Sequence, residues 1–162
     1  MKKLLALILI IGCVFAMTSC YLLGPRPEKD LKKAKENLEA ADYNVSYTTE
    51  AGDDIVARLS AYSEDGEDTI IIIEFANKKA ANLYYRERKL EIEHEIDDLK
   101  LQIDKLKYEM KNSDNDGENL IGEIALEKLQ EELSKLRKEI VLGKSGKVVW
   151  YGTKNGAKAS KG

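Results

Sequence analysis

From residue 77 to about 111 the chain has neither glycine nor proline, and its large apolar residues fall at Ile92, Ile96, Leu99, Ile103, Leu106 and Met110. Intervals of four and three residues in alternation are the seam of a coiled coil, in which a 3.5-residue repeat keeps one apolar edge turned to a partner helix. After a polar knot, KNSDNDGENLIGE (111–123), the pattern resumes at Leu126, Leu129, Leu133, Leu136 and Ile140, and Gly143 reads as a helix stop. Both seams are flanked by Glu and Lys. Joined by so short a loop, they predict an antiparallel helical hairpin. At 1.5 Å per residue, the first helix of about 34 residues spans ~50 Å and the second, of about 22, ~33 Å. The excess lies at the start of the longer helix, where Ala80, Ala81, Leu83 and Tyr84 make a different face expected to pack on a sheet. Residues 90–140 are then expected to project as an arm.

The sheet comes from the segments around the hairpin. YNVSYT (43–48) alternates Tyr43, Val45 and Tyr47, and DIVARLSAY (54–62) alternates Ile55, Ala57, Leu59 and Ala61. TIIIIEF (69–75) is apolar on both sides, as a central strand is. The turn signals EAGDD and SEDGED predict consecutive antiparallel pairing. A fourth strand, KVVWYGT (147–153), follows the hairpin, and KNGAKASKG (154–162) ends the chain as a short helix or a frayed tail. Before the first strand, Leu31, Ala34, Leu38 and Ala41 form one narrow helical stripe, with Pro27 suited to its first turn. The expected fold class is α+β: a four-stranded, mainly antiparallel sheet with helices on one face, and the helical hairpin inserted before the last strand.

The N-terminus reads as a targeting segment. Lys2 and Lys3 precede an apolar run, LLALILIIGCVFAM (4–17), which ends in MTSC (17–20). This resembles the signal peptide and lipobox of bacterial lipoprotein precursors, with Thr18 and Ser19 acceptable before the cysteine and Met17 in place of the usual Leu. The resemblance covers residues 1–20 and implies that Cys20 is diacylated and becomes the mature N-terminus. A second cysteine, Cys13, would leave Val14, Phe15 and Met17 on the mature side, so Cys20 is preferred. The expected organisation is a signal peptide at 1–19, a lipidated Cys and tether at 20–27, and one domain at 28–162. On this reading the mature chain keeps no free thiol. Loss of Lys2 and Lys3 leaves 24 basic residues against 29 acidic, so the charge moves from −3 to −5. An acidic domain has no electrostatic attraction for nucleic acid or for an anionic membrane, which makes acyl chains the expected means of attachment.

Chemistry-bearing residues are sparse. The knot fits the pattern D-x-[DN]-x-[DN]-G-x5-E, with Asn112, Asp114, Asp116, Gly117 and Glu123 at positions 1, 3, 5, 6 and 12. It resembles an EF-hand loop over twelve residues, which would imply a calcium site. Against that, Asn112 replaces the first Asp, Asn119 stands where the family has an apolar residue, and no second hand accompanies it. Asp, Asn and Gly are also ordinary turn residues, so a turn is the preferred reading. His94, the only histidine, falls on the outer side of the seam, and Ser145 in GKSGK (143–147) has no companion base. Asp97 and Asp98 sit on a helix surface where nothing desolvates them. These absences argue against an enzyme, a surface hydrolase included. Tyr43, Tyr47 and Tyr62 with Trp150 or Tyr151 would form a ligand platform if they shared one open sheet face.

Around the knot the apolar stripe widens to Tyr108 and Met110 on one helix and Leu120, Ile121, Ile124 and Ala125 on the other. The surplus is read first as a plug that closes the hairpin, with a contact patch for a protein partner or a second copy as the alternative. The functional expectation is a membrane-anchored, extracytoplasmic lipoprotein working as a non-enzymatic interaction module through its hairpin. The alternative is a ligand- or calcium-binding surface lipoprotein.

Overall fold

The computed structural model describes residues 24–162 except 53 and 113–115, and the side chains of all but 50, 51 and 116–119 among these. The signal peptide and Cys20 lie outside the described residues. The fold is α+β, with one antiparallel sheet and four helices among the described residues.

Helix α1 (Leu31–Ala40) begins at Asp30, whose carboxylate accepts from the backbone N–H of Lys32 at 2.9 Å and of Lys33 at 3.3 Å. Such an N-cap satisfies donors that the first turn leaves unpaired. Pro27 is buried ahead of the helix and lies outside its first turn. The helix ends in a Schellman turn: Tyr43 N–H reaches Leu38 O at 3.0 Å and Asp42 N–H reaches Glu39 O at 3.2 Å. Asp42 takes the left-handed position at φ 60°. Leu31, Ala34 and Leu38 are buried, whereas Ala41 is the exposed C-cap and does not extend the stripe.

Strands β1 (Asn44–Gly52), β2 (Ile55–Tyr62) and β3 (Thr69–Phe75) form the expected meander. The β2–β3 turn is tied by Ser63 N–H to Asp68 O at 2.8 Å, and by Asp65, which accepts from Ser63 Oγ at 2.5 Å and from Glu67 N–H at 3.0 Å. Helix α2 (Lys78–Asn112) and helix α3 (Asp116–Glu139) follow, then β4 (Ile140–Ser145), β5 (Val148–Thr153) and helix α4 (Lys154–Ala159). The sheet order is β1-β2-β3-β5-β4, so β3 is central, as its run of isoleucines requires.

The sheet has five strands, one more than expected. The missed strand is β4, and the hairpin is inserted before it and not before the last strand. Ile140 is the first residue of β4 and does not end a helical seam. Gly143 is no helix stop either: it pairs with Trp150 inside the sheet. A Cβ there would come 2.3 Å from Trp150 Cζ2, so only glycine lets the indole lie across this strand.

Helices cover both faces, which corrects the one-sided expectation. On one face Leu31, Ala34 and Leu38 of α1 and Ala157 of α4 pack over Ala57, Leu59, Ile70, Ile72, Val141 and Trp150. On the other, Ala81, Ile92 and Ile96 of α2, with Leu133 and Leu136 of α3, pack over Ile73, Phe75, Leu142 and Val149. Period-two alternation sends Ile70 and Ile72 to one layer and Ile73 and Phe75 to the other. Arg88 fastens the second layer. Its guanidinium lies 4.5 Å from the Tyr151 ring centroid and 5.8 Å from that of Tyr84, and Tyr84 meets Phe75 at 5.2 Å. Burial, a hydrogen bond with Tyr84 and that phenol's charge push the Tyr151 phenol up to about 12. Leu83, expected on this packed face, stands out at 59% exposure.

Candidate interaction surface on the helical arm

The hairpin follows the seams read from the sequence. Ile92, Ile96, Leu99 and Ile103 are buried, and Leu126, Leu129, Leu133 and Leu136 are half-buried. Met110 lies against Gly122 near the tip, and Arg137 lowers the Asp97 carboxyl after Lys100 and His94, so the two helices run antiparallel. Since α2 has 35 residues and α3 has 24, their lengths are about 52 and 36 Å. Ile92, Ile96, Leu133 and Leu136 belong to the sheet-side layer. Beyond them, from about residue 97 to 132, each helix has only the other to pack against among the described residues.

The outer side of α2 carries a second apolar line, which the seam pattern conceals. Leu83, Leu90, Leu101 and Tyr108 are 59, 65, 68 and 71% exposed. Their separations of 7, 11 and 7 residues are close to two, three and two helical turns, so all four share one face, opposite the buried seam. The spacing is present in the sequence, but the 4-3 seam drew the reading to the opposite face, and Leu83 was expected to pack on the sheet. At the tip, Leu120, Ile121 and Ile124 are exposed at 61, 71 and 53%, and of the surplus Met110 and Ala125 are half-buried. The surplus is therefore not a plug. Among the described residues no third element closes over this end.

Beside the outer line runs an open groove of about 650 Å³, formed by Leu90, Glu91, His94, Asp98, Gln102 and Glu132 with their neighbours. His94 is exposed, with Nδ1 3.0 Å from Asp98 Oδ2 one turn on. Ion pairs at three- and four-residue spacing line the flanks: Lys100 with Asp97 at 2.6 Å, Lys89 with Glu93 at 3.5 Å, and Lys105 with Glu109 at 3.8 Å. Being exposed, they favour solubility and helix more than they hold the arm to anything.

The polar knot is divided between the helices. Asn112 closes α2, its Nδ2 donating to Tyr108 O at 2.8 Å. Asp114 lies outside the described residues, as does the side chain of Asp116. Helix α3 starts at Asp116, so the backbone at positions 5 to 12 of the calcium pattern is helical, whereas an EF-hand draws ligands from loop backbone through position 9. Glu123 is exposed on α3. The described residues include no group of three or more metal-ligating side chains.

The aromatic platform does not form. Tyr43 and Tyr47 pack against the α1 layer with Trp150, Tyr62 points to the opposite side, and Tyr151 lies beneath Tyr84. Ser145, at the β4–β5 turn, makes no hydrogen bond to a His, Asp or Glu among the described residues. No helix among the described residues is long and apolar enough to cross a membrane. No family model, no curated protein and no solved structure matches the chain.

Proposed function

We propose that the chain is a bacterial lipoprotein, anchored outside the cytoplasm through acylated Cys20, and that it acts without catalysis by holding a protein partner on its helical arm. The observation that carries this reading is the outward apolar line of α2, continued at the tip by Leu120, Ile121 and Ile124. Apolar area contributes about 25 cal/mol per Å² when removed from water, so fully covering one such leucine is worth roughly 1.5–3 kcal/mol. Several in line on one helix form a docking edge for a second helix. The groove beside Leu90 is lined by Glu91, Glu95, Asp98 and Glu132. The fitting partner is an amphipathic helix with Lys or Arg beside its apolar face.

Site-specific photo-crosslinking in intact cells tests the arm. A crosslinker at Leu101 or Tyr108 is expected to give one discrete product, lost when Leu90→Glu is added, while a crosslinker at Lys107 on another face gives none. Equal labelling from all three positions, or none from any, refutes the interaction reading. The anchor is checked separately by mass spectrometry, which is expected to find an acylated cysteine at position 20. An unmodified N-terminus beginning at Tyr21 refutes it.

A further inference from the structure

At the outer edge of the sheet, beside β4, lies a notch of about 240 Å³ lined by Gly24, Arg26, Tyr85, Val141, Leu142, Gly143, Lys144 and Trp150. Three features set it apart from the rest of this acidic chain. Its lining has two cations, Arg26 and Lys144, and no carboxylate. Arg26 makes no ion pair or hydrogen bond with any described residue, and Lys144 is held by a neutral group, donating to Asn82 Oδ1 with its ammonium 5.6 Å from the Tyr85 ring centroid. Trp150, 5% exposed, lines the notch; its indole N–H makes no hydrogen bond to any described residue, and the nitrogen is not fully buried, so it is open to the notch. Guanidinium, ammonium and indole N–H are donors only, so the group that satisfies them is an acceptor carrying negative charge.

The notch owes its shape to two glycines. Gly143 leaves room for the indole to cross β4, and Gly24 sits so close to Val141 that a Cβ would fall 2.0 Å from Val141 Cγ1. The chain segment entering the domain is thus seated on the edge strand beside the two cations. From Cys20 to Gly24 is four residues, a reach of at most about 14 Å. If Cys20 is in the membrane, the notch lies at the level of the lipid headgroups.

We propose that this notch binds a phosphate group, with Arg26 and Lys144 as the counter-charges and Trp150 Nε1 as the neutral donor. The phosphate comes either from an anionic phospholipid headgroup or from a soluble phosphate ester. The headgroup source rests on the lipoprotein reading; the anion chemistry does not. A bound headgroup would fix the domain's orientation on the membrane, which a flexible acyl tether alone leaves free.

Trp150 is the chain's only tryptophan and reports on the site directly. The full membrane-extracted protein is placed in phosphatidylcholine nanodiscs and titrated with glycerol 3-phosphate, then compared in discs containing phosphatidylglycerol. A saturable change in tryptophan emission is expected, unmatched by sodium chloride of equal ionic strength. Arg26→Ala and Lys144→Ala are each expected to weaken it about tenfold or more, with Arg26→Lys recovering part. Unchanged far-UV circular dichroism keeps the variants interpretable. A response to glycerol 3-phosphate supports a soluble ester as ligand, and a response only in phosphatidylglycerol discs supports the headgroup. No saturable response to either, or one that both alanine variants leave as strong as in the unaltered protein, overturns the site. If mass spectrometry finds no acyl chain on the extracted protein and it still responds to glycerol 3-phosphate, the site stands and the lipoprotein reading falls.

Discussion

Gly143→Ala separates two accounts of one residue. As a helix stop with a positive φ, Gly143 would cost roughly 1 kcal/mol on replacement, and no tryptophan would respond. In the structure it is a strand residue, and the added Cβ falls 2.3 Å from Trp150 Cζ2, 2.4 Å from Cε2 and 2.7 Å from Nε1. Carbon atoms prefer about 3.5–4.0 Å, so the indole must retreat by more than 1 Å. Trp150 is only 5% exposed and packs in the α1 layer, so the ring retreats only by displacing its neighbours or by turning into the notch beside it. Overpacking of this kind costs typically 1–3 kcal/mol, and displacement of the largest side chain in the layer favours the upper half of that range. Urea unfolding followed by far-UV circular dichroism is expected to give a loss of about 2–3 kcal/mol at unchanged slope. The folded variant's tryptophan emission should shift to the red as the ring meets water. A loss below about 0.5 kcal/mol with unaltered emission would refute the placement of Trp150 across β4.

Four further outcomes follow from the packing. Leu99→Ala and Ile103→Ala, in the part of the seam that only α3 covers, should each cost about 2 kcal/mol, the low end for buried large-to-small changes, because one side of that seam opens to solvent; part of the helical signal should melt before the tyrosine signals of the sheet. Asp42→Gly should raise stability by about 1 kcal/mol in the same urea assay, since a non-glycine residue holds the left-handed position at φ 60°. The Tyr151 phenol titrates near 12 in the folded chain and near 10 when unfolded, so the folded state holds that proton more tightly; its contribution is complete below pH 10 and lost as pH rises towards 12. Absorbance titration at 295 nm should show Tyr151→Phe deleting the highest transition. Millimolar calcium should move the melting temperature by less than about 1 °C, because α3 is already helical from Asp116; a larger rise would revive the loop as a site.

The hairpin and the three-strand meander could be read directly because both are local patterns. A 4-3 seam such as Ile92, Ile96, Leu99 and Ile103 commits a helix to one buried edge wherever it lies, and Ala57, Leu59 and Ala61 commit a strand in the same way. Strand β4 could not be read so. Ile140 falls four residues after Leu136 and continues the helical register, Val141 and Leu142 suit either state, and Gly143 suits either a cap or a close approach. The choice rests on what the segment can pair with, and that is β5, supplied from later in the chain: Val141 opposite Gly152, Leu142 opposite Tyr151 and Gly143 opposite Trp150. Tertiary pairing overrode local propensity there.

The same division holds for the candidate sites. Sequence periodicity alone determined the charged helical hairpin from about residue 77 to Leu136, with its reversal in the knot at 111–123, though it carried the second helix on through Ile140. Only the tertiary structure decided which surplus apolar residues stay exposed, because that depends on whether a third element is near enough to cover them, and among the described residues none reaches Tyr108 or Ile121. It also brought Arg26, Lys144 and Trp150, which lie in segments far apart along the chain, to one edge of the sheet. Periodicity reports how a segment meets its own neighbours. It carries nothing about which distant segments a strand order will bring together.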